Sequence, residues 1–224
     1  KARSAAGARR YLALWLPRLP LERAHLTRKE PLAGTQDDPP FAIAGKHKSA
    51  LRIVALNDSA STAGLRTGMM LADARARVPQ LGVATHDPHA DRALLEKLRQ
   101  WCQRYTPLIG PAGSDGLLLD ITGCAHLWQG EAALQEELES ELSRQGLTVR
   151  TAIAGTGAAA LALAKFSRLR MCPPGQEAAA VGALPLSALD LEPQRILALR
   201  RAGLRKISDL AARPRRPLAA RFGQ

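Results

Sequence analysis

Residues 115–124, D-G-L-L-L-D-I-T-G-C, constrain this chain most. Three leucines, then Asp120, Ile121 and Thr122, closed by Gly123, read as a buried strand over 117–122 that ends in a turn. The backbone of a buried strand needs partners on its edges, so the chain must build a sheet around it. The run carries a carboxylate at each end, Asp115 and Asp120. An odd separation along a strand sends two side chains to opposite faces, which excludes one paired acid site. Taken singly, each aspartate reads as a strand-end or turn residue.

With 224 residues, the chain has room for one large domain or two to three small ones. Apolar residues make up 46% but aromatics only 4%, so the core must be mainly Leu, Ala, Val and Ile. No apolar run approaches the ~20 residues of a membrane span, and the first residues lack the apolar stretch of a signal peptide. Cys102, Cys124 and Cys172 are scattered and odd in number, fitting neither a disulfide framework nor a zinc site and favouring the cytoplasm. The net charge of +12 is concentrated at the ends. Residues 1–10 form a basic tail of +4, residues 191–224 carry +7, and the 180 between them only +1. Such a distribution points to a polyanion or an acidic protein surface as partner.

Along the chain, 11–16 reads as a buried first strand stopped by Pro17 and Pro20, and 21–29 as a short helix. A proline-containing loop at 34–40 leads to two short strands, 41–45 and 51–56, joined by the basic loop Lys46-His47-Lys48. Asp58 or Ser59 is expected to cap a helix ending at Gly64, and Gly68 precedes a second helix through Val78. From residue 90 the order is helix (91–105), strand (117–122), helix (131–145), strand (149–154), helix (158–169). With the first strand added, this predicts a sheet with helices on one face. A linker at 182–189 leads to three short basic helices at 193–202, 207–212 and from Pro217.

These pieces resemble a Y-family (translesion) DNA polymerase core, in its ImuB-type branch. The resemblance is carried by Y-L-A-L-W-L-P-R-L-P-L-E-R from Tyr11, A-G-L-R-T-G-M at 63–69 and R-Y-T-P-L at 104–108. D-G-L-L-L-D-I-T-G-C-A-H-L at 115–127 and A-G-L-R-K-I-S-D-L at 202–210 complete it. It implies an α+β fold with a ferredoxin-like palm from 11–30 and 86–182, small α/β fingers from 31–85, and a helix-hairpin-helix thumb from 183–224. The family's little finger is expected to follow Gln224 and to be absent from this stretch.

In active members of that family, three carboxylates from adjacent palm strands hold two Mg²⁺ ions for phosphoryl transfer. The opening strand supplies one and an adjacent Asp-Glu pair the other two. Here 12–19 contains no acid, Asp115 stands at the Asp position, and Gly116 replaces the Glu. The resemblance therefore implies no catalytic residue, no metal site and no cofactor. The fingers Tyr and Arg that hold the triphosphate correspond to Asp58 and Ser61, and a carboxylate there repels a polyphosphate. Lys165, in A-K-F-S, corresponds to a palm lysine near the triphosphate. The thumb departs too, since Asp190-Leu191-Glu192-Pro193 replaces a glycine-rich, phosphate-gripping hairpin. Arg195, Arg200, Arg201, Arg205, Lys206, Arg213, Arg215 and Arg216 remain as candidates for a DNA backbone; a solvated arginine face or a protein-binding surface is the other reading.

Other patterns carry less. G-T-G-A-A-A at 155–160 matches a dinucleotide fingerprint in letters, but reads as a close strand–helix turn. His86 and His89 read as loop residues, His25, His47 and His126 as isolated, and Trp15, Trp101 and Trp128 as core. The expectation is a non-catalytic, cytoplasmic scaffold or DNA-docking subunit of a bacterial mutasome, acting in the damage-induced (SOS) response. The resemblance implies as partners an ImuA-type RecA-like accessory protein, the sliding clamp and an error-prone C-family polymerase. The alternatives are a weakly active Mg²⁺-dependent polymerase using displaced acids such as Asp120, and a general DNA-binding module.

Overall fold

The computed structural model describes residues 9–27, 38–214 and 216. In chain order the elements are β1 (Tyr11–Trp15), α1 (Leu19–Thr27), β2 (Phe41–His47), β3 (Ala50–Leu56), α2 (Asp58–Thr62), α3 (Leu71–Arg77) and β4 (Gly82–Thr85). Then come α4 (Pro88–Trp101), β5 (Ile109–Pro111), β6 (Gly116–Asp120), α5 (Glu131–Arg144) and β7 (Arg150–Ala154). The chain continues with α6 (Gly157–Phe166), α7 (Glu177–Gly182), α8 (Pro193–Arg201) and α9 (Ile207–Ala211). It divides into two compact units, one of Lys1–Trp15, Trp101–Glu141 and Val149–Gln224, the other of Leu16–Gln100 and Leu142–Thr148.

The first unit holds an antiparallel sheet in the order β5-β6-β1-β7. β1 is central, and Leu12, Ala13 and Leu14 are fully buried because both of its faces are covered. Ala13, Leu118, Ala152 and Ala154 form one face with α6. Small residues there let α6 come close, and a side chain on Gly157 would collide with Leu118. Thr156 caps α6 by accepting the Ala159 N–H at 3.2 Å. The glycine-rich turn is thus a packing device, as its sequence reads. Thr151 pairs with Leu14 and so points to the other face, where Gln135 of α5 donates to its hydroxyl at 2.7 Å. Helices therefore cover both faces rather than one.

Two further expectations are corrected here. Arg10, assigned by sequence to the basic tail, is 8% exposed and forms a two-pronged bond with Glu131 at 2.7 Å and 2.7 Å. Its remaining Nη1 donates to Cys172 O at 2.9 Å. Residues 182–189 are no linker: Leu184 and Leu186 are buried, and Leu186 joins Leu199 and Leu204 in the core beneath α8 and α9. The rest of the tail, residues 1–8, and the helix expected from Pro217 lie outside the described residues.

In the second unit β2 pairs antiparallel with β3 and parallel with β4. Ala42, Ala44 and Ile53 pack with α2 and α3, while Phe41 and Ile43 pack with Leu21 and Ala24 of α1. The hairpin turns at Lys48 and Ser49, with Lys48 at φ 55, so Lys46 and His47 are strand residues rather than loop. Asn57, not Asp58 or Ser59, caps α2 by accepting the Ala60 N–H at 3.0 Å. α4 starts earlier than its apolar stripe because Asp87 accepts the N–H groups of His89 and Ala90, each at 3.0 Å. His89 therefore sits in a helix. His86 is 2.9 Å from Asp91, a buried carboxylate that also accepts from Arg23, so it belongs to a charged network.

Candidate functional site

Asp115 precedes β6 by one residue, beside the end of β1, where Trp15 pairs with Gly116. Its Oδ2 accepts the indole N–H of Trp15 at 2.8 Å, and its Oδ1 accepts Lys165 Nζ at 3.0 Å. Lys165 projects from the last turn of α6. The Trp15 ring also faces the cations of Arg150 and Lys165, at 5.4 Å and 5.8 Å. Two of the sequence-selected residues, Asp115 and Lys165, are thus brought together. Trp15 was missed because an indole in an apolar run reads as core, and its N–H leaves no trace in hydropathy.

Gly116 is closed off by backbone. A Cβ there would stand 2.7 Å from Leu14 O and 3.1 Å from Ala112 O. A glutamate cannot occupy this position without moving the strands. The residues present do not fit a pair of Mg²⁺ ions, since the donor set is one carboxylate already occupied by an ammonium and an indole N–H. Among the described residues no three His, Cys, Asp or Glu side chains gather to hold a metal ion.

Asp120 does not complete the set. Because Asp115 lies just outside the strand, alternation does not govern it, and it turns toward α6, the face that Leu118 and Asp120 share. The opposite-face expectation fails, yet the two carboxylates stay apart, separated along the strand by roughly 15 Å. Asp120 Oδ1 instead accepts the Thr122 N–H at 3.0 Å, closing the turn. The same strand end is held by Thr106, whose hydroxyl donates to Asp120 O at 2.7 Å.

Asp58 and Ser61 belong to the second unit. The Asp58 carboxylate takes both prongs of Arg18, at 2.6 Å and 3.1 Å, and Ser61 is exposed on α2. Arg18 occupies the acid-free stretch after β1 and escaped notice because its partner is 40 positions away.

The basic residues near the end of the first unit lie on α8 and on the segments before and after α9. Arg195, Arg200, Arg201, Arg205, Lys206, Arg213 and Arg216 are exposed, and Arg215 lies outside the described residues. Arg195 is 3.9 Å from Glu192. Asp209 folds back to accept the N–H groups of Arg205 and Lys206, each at 2.9 Å, which holds its carboxyl below the usual range. The approach to α8 has Asp190 at φ 51 and Pro193 in the first turn, so it presents carboxylates and one fewer N–H.

Residues 26–165 match the impB/mucB/samB family. Over 161 residues, 71% of this chain, the sequence is 50% identical to Protein ImuB of Caulobacter vibrioides, of which the match covers 35%. It is 29% identical over 116 residues to DNA polymerase IV of Shewanella amazonensis, covering 51% of this chain and 32% of that one. The fold is similar to that of DinB from Sulfolobus solfataricus, with a TM-score of 0.76 at 15% identity over 96% of this chain and 63% of that one. The match thus spans about a third to a half of the length of the curated relatives.

Proposed function

The chain belongs to the impB/mucB/samB family and has the Y-family polymerase fold, and from this premise we propose that it is a non-catalytic polymerase homologue in translesion synthesis. Its role is that of a cytoplasmic scaffold and DNA-docking subunit in the bacterial damage response. The observation that supports this reading is the bond between Asp115 and Lys165 beside a glycine that admits no side chain. The carboxylate at this strand end is paired with an ammonium, and Gly116 leaves no room beside it for the second acid that two-metal phosphoryl transfer requires. On the resemblance, one of the residues that hold the triphosphate in active members corresponds to Asp58, whose carboxylate is committed here to Arg18.

The scaffold reading implies an ImuA-type RecA-like accessory protein, the sliding clamp and an error-prone C-family polymerase that performs the synthesis. The exposed arginines of α8 and its neighbours supply a sequence-independent contact to DNA. Primer extension on undamaged and lesion-bearing templates, with Mg²⁺ or Mn²⁺, tests the central point. No nucleotide addition above background is expected. Addition that disappears in Asp115→Ala would establish the weakly active polymerase instead.

A further inference from the structure

A groove of about 810 Å³ opens beside Asp115 within the first unit. Its walls come from α6, α7, the turn at Leu186–Leu189 and the start of α9, and they are mostly apolar: Leu161, Ala162, Phe166, Val181, Leu189 and Ile207. Phe166 is 40% exposed, large for an aromatic side chain with no role in the core. The volume lies in the range of clefts that enclose a ligand of several side chains.

The charges in the lining are Asp115, Glu177, Asp190 and Lys165. Lys165 is bound to Asp115, which leaves Glu177 and Asp190 as surplus negative charge. Glu177 is fixed in place, its Oε1 accepting the Gly155 N–H at 3.0 Å, and Asp190 is exposed at the rim. A nucleic-acid backbone is repelled by such a lining and finds its only lysine already paired. A helix with a stripe of bulky apolar side chains, flanked by lysine or arginine, meets both features: the apolar walls take the stripe and the two carboxylates take the flanks.

We propose that this groove docks a basic amphipathic helix of a partner protein, so that a groove of a polymerase-shaped fold serves as a protein socket. The proposal rests on the non-catalytic reading above. It is tested with the full chain and a fluorescent synthetic helix of about 18 residues, leucine along one stripe and lysine or alanine elsewhere. One control has the same composition shuffled so that the leucines share no face; the other carries glutamate for lysine.

Anisotropy titration is expected to show the striped basic helix binding about tenfold tighter than either control. Ala162→Trp, which fills the groove, should weaken binding about tenfold. The double variant Glu177→Gln with Asp190→Asn keeps the shape, because Gln preserves the bond to Gly155 and Asn tolerates the left-handed backbone. It should weaken binding roughly fivefold and flatten its salt dependence, as expected for two solvent-screened charges. If Ala162→Trp fails to fold by circular dichroism, the double variant decides alone. Equal binding of the three peptides, or unchanged binding in the double variant, overturns the proposal. So does displacement of the peptide by a primer–template duplex, which would make the groove a nucleic-acid cleft. Self-association in sedimentation that the double variant abolishes overturns it as well, since a second copy would then be the occupant. Primer extension in parallel separates the readings: nucleotide addition removes both, whereas peptide indifference without addition removes only the docking.

Discussion

Lys165 Nζ lies 3.0 Å from Asp115 Oδ1, joining the end of α6 to the start of β6. The two side chains are 25% and 34% exposed, so water screens the pair and its worth is modest. A double-mutant cycle with Asp115→Asn and Lys165→Met, followed by urea unfolding, is expected to give a coupling of about 0.5–1 kcal/mol. A coupling indistinguishable from zero would mean that the carboxylate is free to take another cation.

Gly116 makes the loss of the acid cluster hard to reverse. Even a methyl group meets the carbonyls of Leu14, in the paired strand β1, and of Ala112, which is tied to Gly116 by its own N–H donating to Gly116 O at 2.9 Å. Gly116→Ala is expected to destabilise the chain by about 1–3 kcal/mol, the range of overpacked cores. Gly116→Glu should be at least as damaging and should restore no nucleotide addition. Unfolding midpoints equal to wild type in both variants would show that the backbone yields.

What could be read from the chain alone depended on whether residue identity or tertiary contact carried the information. The missing acids were legible because no glycine or leucine side chain carries an oxygen to offer a metal ion. The strand β6 was legible from three leucines between turn residues, and α4 from its apolar stripe. β4, four residues long and only half-buried, has too little pattern to stand out. The stretch 182–189 carries Gly182, Pro185 and Ser187 and therefore reads as loop, yet Leu184 is buried in the core under α6 and Leu186 by the helices that follow it. Lone polar side chains were the other blind spot. Arg10, Arg18 and Trp15 find partners 121, 40 and 100 positions away, distances at which no spacing rule operates.

Asn57 ties strand to helix in the second unit. Its Oδ1 accepts from Phe41 N at 2.9 Å and from Ala60 N at 3.0 Å, and its Nδ2 donates to Pro39 O at 2.9 Å. Asn57→Ala removes a helix cap and leaves the buried Phe41 N–H without its acceptor. A loss of about 2 kcal/mol in urea unfolding is expected, and Asn57→Asp, which keeps the acceptor, should recover part of it. Equal losses in both variants would assign the effect to the amide donor instead.

Glu22 gives the chain a pH dependence opposite to that of most carboxylates. The side chain is buried in the second unit, where its Oε2 accepts the Thr148 N–H at 2.9 Å. Burial pushes its carboxyl above the usual range, and the bond to Thr148 and the charge of Arg18 offset this only in part. A carboxyl raised by folding is bound to its proton more tightly in the native state. Its contribution to stability is therefore full below the ordinary carboxylate value and is lost as pH rises through the raised one. Glu22→Gln keeps an acceptor for Thr148 without the buried charge. Urea unfolding at a series of pH values from about 4 to 8 should show wild type and variant diverging as pH rises, with the variant the more stable at neutral pH. A stability difference that stays flat across the series would show that Glu22 titrates alike in the folded and unfolded chain.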